Sequence, residues 1–156
     1  MSSDVFVYLD TVQFSKNGLQ NRNQIKTAQG PGWLTIPVQQ SLGQTIIQTQ
    51  AADSSIFRKH FRTLEMNYAG SPGFKLWKGE LEALLMSCST SLVDAAIDTT
   101  EWMLSKLNIG SRRLRASELQ GIGGKASELV ASICGSLGAT FYLSGSGALS
   151  YLETKD

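Results

Sequence analysis

The chain of 156 residues contains one histidine, two cysteines and three prolines. Cys88 and Cys134 lie far apart, and neither has a second cysteine or the histidine, His60, at the spacing of a metal site. This scarcity argues against structural zinc and against catalysis by a cysteine and histidine pair. We therefore expect two buried free thiols and no metal site.

Charge and long apolar runs are also scarce. Charged residues make up 17% of the chain and the formal net charge is +1, so the sequence lacks the excess of basic residues that is typical of nucleic-acid-binding proteins. No apolar run approaches the roughly 20 residues that span a bilayer, and residues 1–10 lack the features of a signal peptide. The sequence predicts a soluble cytoplasmic protein without a transmembrane segment, and it does not favour a nucleic-acid partner.

The apolar content, 42% of the residues, suits one domain with one core over residues 1–156. The run from Val5 to Leu9 is apolar at every position, which is typical of a strand covered on both faces of a sheet. Further strand-like runs lie at 33–36 and 46–47, with turn-forming prolines and glycines around them.

The middle of the chain has the spacing of helices. Apolar residues recur at steps of three and four over 56–64, 74–85 and 90–106. A strand at 113–116, a helix at 124–137 and a strand at 140–143 then predict a crossover unit with parallel strands. The expected fold class is α/β: a mostly parallel sheet with covering helices and a helical middle segment.

Polar side chains follow the first predicted strand, where ligands of α/β sheets bind. Asp10 suits a general base, a ligand for a cation or a partner for a sugar hydroxyl, or else it only forms a turn. The triplet Asn21, Arg22 and Asn23 sets a guanidinium between two amides, which suits a phosphate or carboxylate but also a solvated loop. Gln13 and Lys26 complete this candidate set of binding residues.

Two glycine-rich segments are candidates for phosphate contact. Residues 121–126 fit a loose dinucleotide fingerprint, but no acidic residue follows about 20 positions on, so no nicotinamide or flavin cofactor is expected. Lys125, in the first turn of the predicted helix, would oppose the helix dipole unless a phosphate were bound. Ser144, Gly145 and Ser146 can direct amides and hydroxyls at an anion. Both segments are also compatible with ordinary turns.

The remaining candidates have simple structural interpretations beside functional ones. His60 lies on an apolar helical face and is either a packed side chain or a general acid or base. The three tryptophans stand in apolar stretches, and we expect them in the core: Trp33, Trp77 and Trp102. The basic cluster at 111–115 is either a solvated face or a surface for an acidic substrate.

Several of these segments carry a family likeness. They are residues 4–30, which read DVFVYLDTVQFSKNGLQNRNQIKTAQG, residues 32–38 and 139–152, and His60 ahead of Tyr68 and Pro72. Together they resemble the WbqC-like proteins of bacterial surface-polysaccharide gene clusters. Against that pattern the chain looks shortened at both ends. The resemblance favours functional roles for Asp10, for the triplet at 21–23 and for the Ser144 loop.

The leading hypothesis is a transferase of surface-glycan (O-antigen) biosynthesis that acts on an activated or nucleotide-linked sugar. Asp10 or His60 would move the proton, while Arg22, Lys125 and the Ser144 loop would hold phosphate. This requires clusters about 120 residues apart in sequence to converge. The alternatives are a non-catalytic module that binds a sugar or a partner, and an inactive shortened remnant. A homo-oligomer is compatible with each of these.

Overall fold

The structure is a computed structural model, and it describes residues 3–16 and 18–145. Within those ranges it contains six β-strands, four α-helices and one short 3-10 helix. The chain divides into two compact units. We call residues Asp10–Ile109 the central unit, and Met1–Leu9 with Gly110–Asp156 the terminal unit.

Strands of the central unit form two small antiparallel sheets. Strand β2 (Arg22–Thr27) pairs with β3 (Gly30–Thr35) as a hairpin, and β4 (Val38–Gln39) pairs with β5 (Gln50–Ala51). A two-residue turn joins β2 to β3, and Gly30 follows it with φ of +108°, a backbone conformation that glycine adopts without a Cβ clash.

Three helices complete the central unit and confirm the predicted helical middle segment. They are α1 (Ser55–Tyr68), α2 (Pro72–Ser87) and α3 (Leu92–Lys106). The hydroxyls of Ser71 and Ser91 accept backbone N–H bonds at the starts of α2 and α3, as N-cap residues do.

The core of the central unit lies between these helices. Its buried side chains are Phe57, Phe61, Leu85, Cys88 and Ala95. They occupy the positions at which the apolar spacing of three and four residues repeats, so each helix turns its apolar stripe inward. This packing fixes α1, which carries His60 and Tyr68.

In the terminal unit, β1 (Val5–Tyr8) pairs in parallel with β6 (Arg112–Arg115). The 3-10 helix Ala116–Glu118 follows β6, and α4 (Ser127–Ser136) comes next. The prediction of a mostly parallel sheet is wrong, because this pair is the one parallel pairing among the described strands. The fold is mixed α/β with small sheets.

The prediction that the first strand is covered on both faces is also wrong. Its single described neighbour is β6, and the side chain of Phe6 is 48% exposed. Phe6 and Tyr8 pack edge to face with ring centroids 5.0 Å apart. The continuous apolar run therefore serves a narrow sheet in which two aromatic rings shield each other.

Two predicted strands are absent at their expected positions. Residues 46–47 form a turn, and residues 140–143 have no ladder partner among the described residues, with Phe141 93% exposed. The predicted crossover unit is therefore wrong: β6 lies parallel to β1, not to 140–143. Aromatic and β-branched residues favour a strand, but a strand forms only where a neighbour completes its hydrogen bonds.

The last helix starts later than its glycine-rich approach predicts. Gly124 and Ala126 have positive φ angles of +90° and +47°, which keep 124–126 out of the helix. Lys125 thus precedes α4 and does not lie in its first turn, so the predicted opposition to the helix dipole is wrong. Within the described part of the chain, none of the helices has the length and apolar character that crossing a bilayer requires.

Candidate functional site

The β2–β3 hairpin has a polar outer face. Opposite residues of an antiparallel pair point to the same side of the sheet, and Arg22, Gln24 and Lys26 lie opposite Thr35, Trp33 and Pro31. Of these six residues, five are exposed and Arg22 is half-buried. Ile25, Thr27 and Leu34 alternate with them and are half-buried. We call the six residues the hairpin face.

An arginine and a tryptophan form the centre of the hairpin face. The guanidinium carbon of Arg22 lies 4.6 Å from the ring centroid of Trp33, which is within the range of a cation–π interaction. The Trp33 side chain is 48% exposed. The stack fixes the guanidinium plane, and part of the indole surface stays open to a ligand.

Asn21 closes the open end of the hairpin. Its side-chain amide donates to the Ile36 carbonyl at 2.8 Å, and the Ile36 N–H donates to the Asn21 carbonyl at 2.8 Å. Asn23 accepts the N–H of Gln24 through its own side chain. These amides hold the strand that carries Arg22, so their donors and acceptors serve the backbone in this structure.

His60 reaches the same end of the hairpin from α1. Its Nε2 lies 3.0 Å from the Thr35 carbonyl oxygen, and Thr35 is the residue opposite Arg22. A carbonyl oxygen only accepts, so Nε2 carries the proton and donates. Burial lowers the pKa of His60, although the bond to Thr35 acts in the opposite direction. The neutral ring therefore keeps a lone pair on Nδ1.

Helix α1 also holds the other strand of the hairpin. The backbone N–H of Lys26 donates to the Tyr68 hydroxyl at 2.9 Å. Lys26 lies opposite Pro31, which has no N–H. Tyr68 is two turns beyond His60 on α1, so the helix contacts β2 through Tyr68 and β3 through His60. This contact fixes the backbone of Lys26 while its side chain remains exposed.

Asp10 and Gln13 occupy another part of the central unit. The side chain of Asp10 is 1% exposed, and its backbone carbonyl accepts the N–H of Ile47 at 2.9 Å. Gln13 pairs with Thr45 in an isolated bridge and lines an open surface cavity of about 490 Å³ with Lys16 and residues 40–43. Asp10 is thus enclosed, whereas Gln13 faces solvent.

The other candidate residues belong to the terminal unit. Lys125 is exposed in the loop ahead of α4, where the N–H of Gly123 donates to the Ser132 hydroxyl at 3.0 Å. The Ser144 hydroxyl donates to the Gly145 carbonyl at 3.0 Å, and Ser146 lies outside the described residues. Convergence of these residues with Arg22 stays a prediction.

The expectation of three core tryptophans is wrong for Trp33. Trp77 and Trp102 are half-buried and pack edge to face with centroids 6.3 Å apart, while Trp33 stands on the hairpin face. The position of Trp33 follows from the alternation of faces along the strand. Leu34 and Ile36 take the inner face, so Trp33 and Thr35 take the outer face.

Both cysteines are free thiols as predicted, and the predicted burial is confirmed for Cys88 but not for Cys134. Cys88 is buried and Cys134 is half-buried, and neither forms a disulfide. Burial raises the pKa of Cys88, with a smaller contribution from Asp98, which makes this thiol a poor nucleophile. Among the described residues, no group of three histidine, cysteine or acidic side chains is placed to bind a metal ion.

Comparison with known proteins gives the family. The model of the WbqC-like protein family matches residues 1–156. This chain belongs to the WbqC-like protein family. It is 31% identical over 157 aligned positions to the Uncharacterized protein Rv1507c of Mycobacterium tuberculosis (strain ATCC 25618 / H37Rv), a match that covers 97% of this chain and 67% of the relative. No solved structure matches significantly.

In this WbqC-like chain, the hairpin face supplies the groups that an anionic ligand needs. A guanidinium can form paired hydrogen bonds with a phosphate or carboxylate, and ligand sites combine aromatic surface with a few fixed polar groups. The six residues of the face include two cations and no carboxylate. His60 and Tyr68 of α1 contact the backbone of the face, at Thr35 and Lys26.

Proposed function

We propose that this WbqC-like chain is a transferase of bacterial surface-glycan biosynthesis that acts on an activated, phosphate-bearing sugar. The sugar binds on the hairpin face. The observation that carries the proposal is the Arg22 guanidinium held 4.6 Å from the centroid of the exposed Trp33 ring. The surface-polysaccharide setting comes from the family resemblance and gives the substrate class.

Recognition uses the two halves of this pair for different parts of the ligand. The open surface of Trp33 packs against the apolar side of a sugar ring, and the N–H groups of Arg22 bind the phosphate. Because the stack already orients the guanidinium, less side-chain entropy is lost on binding. Lys26 lies four residues along β2, about 13 Å away at the rise of a strand, and suits the far end of an elongated, nucleotide-linked substrate.

His60 is the better placed of the two predicted proton acceptors. Burial lowers its pKa and so favours the neutral ring, in which Nδ1 keeps a lone pair since Nε2–H is donated to Thr35. Asp10 is enclosed at 1% exposure, which leaves its carboxylate out of contact with solvent. In this proposal His60 takes the proton of the acceptor hydroxyl, and Asp10, whose backbone carbonyl accepts the N–H of Ile47, supports the fold of the central unit.

The rival function is a non-catalytic module that binds the same class of sugar. One observation favours it: the hairpin face offers donors and an aromatic surface, but none of its six residues is a carboxylate or a histidine. In that case His60 only fastens α1 to β3. The two functions predict the same ligand and differ in the consequence of changing His60.

Ligand-dependent thermal unfolding tests the binding step. Nucleotide-sugars, sugar phosphates and inorganic phosphate are compared, because a ligand at 100 times its dissociation constant stabilises by about 2.7 kcal/mol. We expect Arg22→Gln to weaken binding by about tenfold or more, since hydrogen bonds to charged groups contribute about 1.5–3 kcal/mol. Trp33→Ala is expected to weaken binding as well, because it removes the aromatic surface under the sugar and the stack that orients the guanidinium. Leu76→Ala removes another exposed apolar side chain and is the matched control. Unchanged binding in both variants contradicts the proposed face.

Turnover assays on a ligand identified in this way separate the two functions. We expect His60→Gln to keep binding and to lose transfer, because glutamine can donate to Thr35 but cannot accept a proton as a base. A wild-type chain that binds the sugar but transfers nothing to any acceptor supports the binding module. Transfer that is unchanged in His60→Gln rules out the proposed role of this histidine.

A further inference from the structure

A groove of about 550 Å³ lies between α1 and α2 in the central unit. It is lined from α1 by Arg58, Phe61, Arg62, Glu65 and Met66, and from α2 by Glu82 and Met86. At about 100° per residue, Arg58 and Arg62 lie on the side of α1 opposite to His60, whereas Phe61 lies close to Tyr68 around the helix. The charged α1 rim of the groove is therefore separate from the contact of His60 with the hairpin.

The floor and sides of the groove are apolar. Phe61, a core residue, is 4% exposed, while the side chains of Met66 and Met86 are 85% and 42% exposed. Flexible methionine side chains adapt to a packed partner, and they are frequent at protein interaction surfaces. Covering them removes apolar area from water, so the groove gains free energy from a matching surface.

The two rims of the groove carry opposite charge. Arg58 and Arg62 lie one turn apart on α1, and neither forms an ion pair with a described residue. Glu65, also on α1, is paired with Lys78 of α2. Glu82 on the α2 rim has no described ion-pair partner within 4.0 Å, although its charge also acts on Lys78 of the same helix. One rim is thus positive, and the facing rim is negative.

From this arrangement we infer that the α1–α2 groove is the interface between two copies of this chain, related by a twofold axis along the groove. Rotation about that axis sets α1 of one copy against α2 of the other. Arg58 and Arg62 then face Glu82 of the second copy, and the contact occurs twice because the interface is isologous. The methionines of both copies pack at the centre of a four-helix arrangement.

The charges select this axis over the other twofold arrangement. An axis across the groove would set α1 against α1 and bring the two arginine pairs together, which is unfavourable. A second copy therefore meets the groove with complementary charge in one orientation only. The interface is independent of the proposed sugar site, since its residues are not part of the hairpin face.

Charge-reversal variants of the full chain test the interface by analytical ultracentrifugation over a concentration series. We expect the wild-type chain to dimerise, and Arg62→Glu and Glu82→Arg each to raise the dimer dissociation constant by at least about tenfold, because each sets like charges together twice. A mixture of the two variants restores the dimer, since both contacts in the heterodimer join an acid to a base. Asp98→Arg, an exposed change on α3, is the control for Glu82→Arg.

The sedimentation results of the wild-type chain, the variants and their mixture decide whether the groove is a dimer interface. A dimer that is lost in each variant alone and recovered in the mixture supports the inference, provided that circular dichroism finds each variant folded. A monomeric wild-type chain overturns it and leaves the groove to another partner. A dimer that persists in Arg62→Glu and Glu82→Arg, or that the mixture fails to restore, also overturns it.

Discussion

The central and terminal units differ in what holds their side chains in place. The central unit has a cluster of five buried core residues and two helices with serine N-caps. The described part of the terminal unit has a two-stranded parallel sheet and one ten-residue helix without a side-chain cap. Tertiary packing fixes α1 and the hairpin, whereas the loop ahead of α4 is held by the hydrogen bond between Gly123 and Ser132 and by its backbone conformation. A preorganised binding face is therefore expected on the central unit.

The largest expected loss of stability comes from a substitution in the core of the central unit. Phe61 is 4% exposed and stacks on Phe74 with ring centroids 6.4 Å apart. Phe61→Ala is expected to lower the free energy of unfolding by about 3–5 kcal/mol, because the lost ring leaves a cavity. Urea unfolding followed by circular dichroism measures the loss.

Phe141→Ala is the matched control in the terminal unit. Its side chain is 93% exposed, so the expected change is within about 0.5 kcal/mol. If the two substitutions cost the same free energy, the contrast between the units is wrong. A loss confined to Phe61→Ala supports it.

The same contrast explains which elements could be predicted from the sequence. The helices of the central unit follow from local apolar spacing, which sequence shows directly. Strand β2 was not predicted, because its outer positions are polar and only Ile25 and Thr27 mark its inner face. The pairing of β1 with β6 joins residues more than a hundred positions apart. Local sequence patterns do not show which strand pairs with which over such a separation.

The candidate site was predictable to a similar extent. The amide and guanidinium pattern drew attention to Asn21 and Arg22, and the apolar face of a helix located His60. Their meeting at Thr35 and Ile36 depends on the hairpin, which the sequence did not indicate. Trp33 was assigned to the core because its apolar neighbours were weighed above the alternation along β3. Its stack with Arg22 needs the diagonal contact of a formed hairpin.

A substitution at Ala126 in the terminal unit is expected to stabilise α4. Ala126 has φ of +47° and ψ of −118° at the start of α4, a conformation in which glycine is usual at the first position of a type II′ turn. Ala126→Gly is expected to stabilise α4 by about 1 kcal/mol, since the strain of this conformation costs about 1–3 kcal/mol and added chain entropy offsets part of the gain.

Amide hydrogen exchange of α4 measures this change. The expected result is slower exchange in Ala126→Gly within 127–136 and unchanged exchange in α1. Gly124→Ala is the opposing variant, because Gly124 has φ of +90° and a Cβ there would come within 2.6 Å of the Glu128 Cβ. Faster exchange in Ala126→Gly would contradict the argument from backbone strain.

Loss of a helix cap in the central unit is expected to have a comparable effect of opposite sign. The Ser71 hydroxyl accepts the N–H of Phe74 at 3.2 Å ahead of α2. Ser71→Ala is expected to cost about 1 kcal/mol, because that N–H loses its partner. Urea unfolding provides the measurement, and Ser71→Asp, which can also cap, is the control. A cost equal in both variants would assign the effect to something other than the cap.

The smallest expected effect is the pH dependence that His60 gives to the central unit. Burial lowers its pKa from the ordinary value of 6.5, so the unfolded chain binds a proton more readily than the folded one. The stability contributed by the neutral ring is present above pH 6.5 and is lost as the pH falls below it toward the folded pKa. Carboxyl groups titrate mainly near pH 4, and His60 is the one histidine in the chain.

His60→Gln tests this directly, because glutamine keeps a donor for the Thr35 carbonyl and does not titrate. Urea unfolding of both proteins between pH 5 and 8 is expected to give a steeper decline below pH 6.5 in the wild-type chain. Equal slopes in the two proteins would mean that the folded chain binds the proton as readily as the unfolded one. Burial would then not be what keeps Nδ1 unprotonated, and the supply of the base that the transferase needs would depend on pH alone.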